Sequence, residues 1–112
     1  MTEEDLVDAL KAVAHPVRLR ILQTLAGGER NVGEIDDAAQ IGQPTLSQQL
    51  AVLRNAGLVA TRKQAKLVFY RIDAAKLAAM SSMLGGIAGV TVERARPPRR
   101  PSAGVATFAR LG

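Results

Sequence analysis

Ile41-Gly42-Gln43-Pro44-Thr45-Leu46-Ser47-Gln48-Gln49-Leu50-Ala51-Val52-Leu53-Arg54-Asn55-Ala56-Gly57-Leu58-Val59 is the stretch that decides the fold. Leu46, Leu50 and Leu53 recur at helical spacing and form one apolar stripe, while Gln43, Thr45, Ser47, Gln48 and Gln49 supply short or bidentate hydrogen-bonding groups without formal charge. The pattern predicts a short helix with a buried underside and an amide-and-hydroxyl top, a face suited to the edges of DNA bases. Pro44 is expected at the first helical position, where a missing N–H is no loss, and Gly57 just past the end, where a left-handed backbone is needed.

Upstream, Asn31 can cap a short helix over Val32 to Ala39, and Gly42 stands in the tight link between the two helices, which makes a helix-turn-helix. Asp36 and Asp37, adjacent on that first helix, point apart and read as a solvated face, not a paired-carboxylate site. Thr2, followed by Glu3, Glu4 and Asp5, is a good helix entry, and Leu6, Leu10 and Val13 give the first helix its stripe. His15-Pro16 ends that helix and opens the next, which runs to Leu25 and stops at Gly27-Gly28. Its core face is expected from Leu19, Leu22 and Leu25, flanked by Val17 and Ile21, with His15 as the cap and not a titrating switch.

Downstream, Leu58 to Lys63 and Leu67 to Ile72 are rich in branched and aromatic residues and are separated by Gln64-Ala65-Lys66, so a hairpin with a charged tip is expected. Asp73 caps a last helix from Ala74 to about Ile87. Its Leu77, Met80, Leu84 and Ile87 lie on one side, and that side needs a partner.

The 112 residues fit one domain, and a composition 47% hydrophobic but only 3% aromatic implies a core of Leu, Ile, Val and Ala. A domain of this size buries only about two thirds of its unfolded surface, so dimerisation is expected to help stabilise it. The net charge of +5 is unevenly spread: most acids fall within residues 1–40, whereas Arg54, Arg62, Lys63, Lys66, Arg71 and Lys76 face a single acid, Asp73, between residues 43 and 76. A basic second half is the electrostatic footprint of a phosphate-backbone partner. With no cysteine, disulfides are excluded. An acidic N-terminus without an apolar signal core, and no apolar run near the roughly 20 residues that span a bilayer, point to a cytoplasmic protein without membrane association.

This order of elements resembles the winged helix-turn-helix repressors of the ArsR type. The matching residues are Leu10 to Leu22, Gln43 to Leu50, Leu53 to Val59 and Phe69-Tyr70-Arg71-Ile72, so the likeness covers about residues 6–73. Within the family, Val32-Gly33-Glu34-Ile35 with Ser47-Gln48-Gln49-Leu50 is similar to the branch that includes sulfide- and redox-responsive repressors. The resemblance implies a mainly α fold of about five helices with a small two-stranded wing, a homodimer through the first and last helices, and two recognition helices in successive major grooves about 34 Å apart. It implies a sequence-specific transcriptional regulator, a repressor of an inverted-repeat operator in double-stranded DNA. Gln43, Thr45, Ser47 and Gln48 fall on the groove-facing positions, with Gln49 beside them unless it leans toward the helix behind. Arg54 and the wing residues Arg62, Lys63 and Lys66 are expected on phosphates or in the minor groove. The dimer interface is expected from Leu6, Leu10, Leu77, Met80, Leu84 and Ile87.

The chain also departs from the family. Where metal-sensing members carry cysteines it has Asn31-Val32-Gly33, and where others place ligands on the last helix it has Asp73-Ala74-Ala75-Lys76, so neither a metal site nor a thiol pair is expected. Any effector would be a small organic ligand of unknown identity, and no cofactor is expected. Met80 and Met83 read as interface core before they read as a ligand pocket. With no Cys, a single His beside a proline and no Gly-rich phosphate loop, the chain offers no nucleophile and base pair, so an enzyme is not expected. The alternatives to a specific regulator are a winged-helix module for protein assembly and a nonspecific architectural DNA binder. The division expected is a binding and dimerisation domain over residues 1–92 and a basic, Pro/Arg-rich tail over 93–112, acting as a nonspecific electrostatic arm.

Overall fold

In the computed structural model, residues 1–90 are described. They form α1 (Glu3–Val13), α2 (Pro16–Leu25), β1 (Arg30–Asn31), α3 (Val32–Ala39), α4 (Thr45–Asn55), β2 (Val59–Gln64), β3 (Leu67–Ile72) and α5 (Ala74–Ala88). The expected tail over 93–112 lies outside these residues.

Helix ends follow the local chemistry of the chain. Thr2 caps α1 in a capping box with Asp5, Asn31 caps α3 in a second box with Glu34, and Asp73 Oδ1 accepts the Lys76 N–H at the start of α5. His15 caps α2 through Nδ1, which accepts the Val17 N–H at 3.1 Å, with Pro16 in the first turn. At the end of α4, Gly57 takes φ +76°, its N–H reaches the Arg54 carbonyl, and the Leu58 N–H reaches the Leu53 carbonyl at 3.0 Å. Those two bonds close the helix and send the chain directly into β2.

The sheet has one strand more than the hairpin expected. Arg30 and Asn31 pair with Tyr70 and Phe69, giving the antiparallel order β1-β3-β2. Two residues after a glycine turn, the second of them the cap of α3, carry no alternation, so the strand had no signature of its own. The hairpin tip is also tighter than expected, since Gln64 pairs with Leu67 and leaves only Ala65 and Lys66 in the turn, with Ala65 at φ +55°.

Ile21, Ile35, Leu46, Leu50, Leu53 and Leu58 are the most deeply buried large side chains, so the core lies where α2, α3 and α4 meet at the root of β2. Leu19 does not join them and stays 44% exposed. At 3.6 residues per turn it lies roughly a third of a turn from the centre of the arc that Ile21, Leu22 and Leu25 turn inward. Pro44 departs from expectation too. It stands one residue before α4, and its carbonyl accepts the Gln48 N–H, which is the role of the cap and not of the first helical residue.

Candidate nucleic-acid interface

The base of the site is the turn between α3 and α4. Gln40 ends α3 in the left-handed region at φ 54°, and Asp36 Oδ1 accepts the backbone N–H groups of Ile41 at 3.2 Å and Gly42 at 2.8 Å. Two turn donors are thereby satisfied by one carboxylate, which pins the entry to α4. Asp36 is therefore half-buried and structural, while Asp37 is the solvated residue of the pair. From behind, Arg20 Nη1 donates to the Ala39 carbonyl at 3.3 Å and holds the end of α3 against α2.

On α4, Leu46, Leu50 and Leu53 are buried, and Thr45, Ser47 and Gln48 are exposed, with Gln43 exposed before the helix and Arg54 exposed near its end. The two glutamines at the ends of this group are not equivalent to Gln48. Gln43 Oε1 accepts the Ser47 N–H at 3.1 Å, so its acceptor closes the helix start and its amide NH2 is left to face outward. Gln49 is half-buried, and its Oε1 accepts from Arg18 Nη1 at 2.7 Å. Arg18 also donates to the carbonyls of Ala12 at 2.6 Å and Lys11 at 3.3 Å, tying α1, α2 and α4 together. Gln49 thus turns to the helices behind it, and of the three glutamines at α4 Gln48 is the one whose amide keeps both its donor and its acceptor free of protein hydrogen bonds among the described residues.

In the wing, successive side chains point to opposite faces. Lys63 shares the face of Thr61 and Tyr70, and Lys66 stands in the two-residue turn, both exposed. Arg62 lies on the other face opposite Phe69, with its guanidinium carbon 4.6 Å from the ring centroid. Its Nε and Nη2 meet the Glu29 carboxylate at 2.9 and 2.7 Å, and Nη1 donates to Gln64 Oε1 at 2.7 Å. This is the one ion pair among the described residues. Hydrogen bonds from Arg62, then its charge and that of Arg71, hold the Glu29 carboxyl below the usual carboxylate range, and the same bonds raise Arg62 above its ordinary value.

The model of the "bacterial regulatory protein, arsR family" matches residues 15–61, from the cap of α2 into β2. The biofilm growth-associated repressor of Xylella fastidiosa is 47% identical over 91 residues, covering 75% of this chain and 80% of that protein.

The chain belongs to the arsR family.

As an ArsR-family protein it is a DNA-binding transcriptional regulator and not an enzyme. The transcriptional activator HlyU of Vibrio cholerae is 45% identical over 75 residues, 67% of this chain and 69% of that protein. Among solved structures, the transcriptional repressor BigR from Xylella fastidiosa aligns with TM-score 0.61 at 47% identity, over 78% of this chain and 96% of that one. The homodimeric winged helix-turn-helix DNA-binding domain Mb0332 from Mycobacterium bovis aligns with TM-score 0.63 at 32% identity, over 77% and 80%.

Exposed large apolar side chains occur on several elements of this ArsR-family chain, and the most exposed of them, Ile87, is on the last helix. Leu6 and Met80, expected at a dimer interface, are buried in the chain's own core, and Leu10 and Leu77 pack against that core while staying partly open. Leu84 and Ile87 are exposed, Ile87 at 81%, as are Val7 on α1 and Val90 beyond α5. No helix among the described residues is long and apolar enough to cross a membrane. Among them, too, no group of three or more His, Cys, Asp or Glu side chains is placed to hold a metal ion.

Proposed function

We propose that this ArsR-family regulator acts as a homodimeric repressor in the cytoplasm, binding an inverted repeat in double-stranded DNA through α4 and the wing. The observation that carries it is the division of α4 into a buried leucine face and an exposed face of Thr45, Ser47 and Gln48, with uncharged groups of the kind that pair with base edges. Gln48 pairs bidentately with a base, Gln43 donates through its amide, and the hydroxyls of Thr45 and Ser47 serve bases or phosphates. Arg54, Lys63 and Lys66 carry the phosphate contacts. Leu84 and Ile87, with Leu10 and Leu77 at their margin, pair with the same residues of a second copy; the homodimeric state of the Mb0332 domain supports the pairing of two chains, and the exposure of Leu84 and Ile87 supports their place in it. Residues 1–92 do the reading and pairing, and residues 93–112 add a nonspecific basic arm.

Repression requires no more than occupancy of a promoter, and the Xylella fastidiosa relative is named a repressor. Selection of bound duplexes from a random pool at physiological salt tests the proposal. An inverted repeat bound at least about 10³-fold more tightly than scrambled DNA, with two chains per site and less transcript from a promoter carrying it, is expected. Affinity that tracks salt and yields no motif would replace it with an architectural role, and failure to bind DNA at all with a protein-assembly role.

A further inference from the structure

The wing carries four basic side chains, Arg62, Lys63, Lys66 and Arg71, and the structure treats the first of them differently. Arg62, though its side chain is 44% exposed, is engaged three times: a carboxylate meets its fork, a side-chain amide takes another donor, and an aromatic ring lies under its face. The carboxylate comes from Glu29, in the turn between α2 and β1 that begins at Gly27-Gly28, far from the wing in sequence. Phe69, beneath the guanidinium, also pairs through its backbone with Asn31 of β1, so the cluster joins the α2–β1 turn to both wing strands. A planar, bidentate pair of this kind fixes direction as well as charge. Arg71, opposite Ala60, lies on the same outer face and adds to the positive field around Glu29.

We propose that Glu29 is a specificity-determining residue of the DNA-binding surface, holding Arg62 out of the phosphate-binding set and bracing the wing against the turn before β1. An acid beside the wing repels phosphate, so it cannot serve affinity directly. By neutralising Arg62 it removes a contact that every DNA sequence could use. Sequence-independent binding is thereby lowered, and the orientation of Lys63 and Lys66 relative to α4 is kept. The inference rests on the proposed phosphate contacts of the wing.

The experiment measures affinity for a random-sequence duplex against salt concentration, for the wild-type chain and single variants. Each phosphate neutralised adds about 0.9 to the slope of log K against log salt. Lys63→Ala is expected to lower the slope by about that amount, and Arg62→Met to leave it unchanged. Glu29→Gln is expected to raise it by a similar amount, with several-fold tighter binding to random DNA, and the double variant Glu29→Gln/Arg62→Met to return to the wild-type slope. Glu4→Gln, the same charge change on exposed α1, is expected to leave the slope alone.

Arg62→Met lowering the slope as Lys63→Ala does would overturn the inference, because Arg62 would then leave Glu29 for a phosphate. So would an unchanged slope in Glu29→Gln, or an equal rise in Glu4→Gln. If Lys63→Ala had no effect while Glu29→Gln steepened the slope, the role of Lys63 would fall and that of Glu29 would stand. No salt-dependent binding by the wild type would overturn both.

Discussion

Arg18 of α2 donates Nη1 to Oε1 of Gln49 on α4 at 2.7 Å, while its Nε binds the Ala12 carbonyl at the end of α1. One guanidinium therefore orients the recognition helix from behind and turns Gln49 away from the face that Gln48 occupies. The adjacent glutamines stand differently, one bonded to the helices behind α4 and one exposed with its amide unbonded, as the proposed reading of DNA by Gln48 requires.

That division makes neighbouring alanine substitutions behave differently. Gln48→Ala is expected to cost about 1–3 kcal/mol of discrimination at one base pair and leave the melting temperature unchanged. Arg18→Ala, which removes bonds from a charged donor to Gln49, Ala12 and Lys11, is expected to cost about 1–3 kcal/mol of stability and weaken all duplexes alike. Thermal melts together with competition against single-base operator variants separate the two. Equal losses on operator and scrambled DNA for Gln48→Ala would remove its base-reading role.

Asp36 makes a second test of the turn. Its Oδ1 accepts from both Ile41 and Gly42, so Asp36→Ala leaves two half-buried backbone donors without their partner and is expected to destabilise the chain by about 1–3 kcal/mol. Asp36→Asn keeps an acceptor oxygen and should recover most of that loss. Denaturant titration checks both, and equal destabilisation would mean that charge, not acceptance, holds the turn.

On α5, burial predicts opposite outcomes for two apolar residues on one side of the helix. Met80 is 5% exposed and Ile87 is 81% exposed. Met80→Asp is expected to unfold the chain, because a carboxylate would be buried without a partner. Ile87→Asp is expected to leave the helical circular dichroism intact and convert the protein to a monomer in sedimentation equilibrium. A dimer that survived Ile87→Asp would place the interface elsewhere.

Two carboxylates set the acid limit of these contacts. The Thr2 backbone N–H, then its hydroxyl, lowers the Asp5 carboxyl, and Arg62 lowers that of Glu29. A carboxylate depressed in the folded state contributes stability above its unfolded value and loses it as pH falls through its folded value. The stability gap between wild type and either Asp5→Asn or Glu29→Gln is therefore expected to stay constant from about pH 6 to 8 and to close as the pH falls from the usual carboxylate range through the lowered folded value. Thermal melts across pH check this, and a gap that changed near neutrality would point to another titrating group.

The sequence by itself determined what depends on neighbours along the chain. Thr2, His15, Asn31 and Asp73 declare helix starts because a cap binds an N–H only two or three residues ahead, and Gly57 declares an end because the left-handed position needs no Cβ. Leucine spacing likewise gave α4 its buried face, and the motifs from Leu10 to Ile72 carry the family resemblance in the sequence itself. Tertiary structure alone decided which polar groups remained available. Gln49 is taken by a residue 31 positions away and Arg62 by one 33 positions away, and β1 exists only because β3 folds back beside it. Leu6 and Met80 were likewise drawn into the core that Leu84 and Ile87 never reach. Caps and periodicity are local and leave their mark in short stretches of sequence, whereas a long side chain's partner is set by which elements pack together, and no spacing along the chain records that.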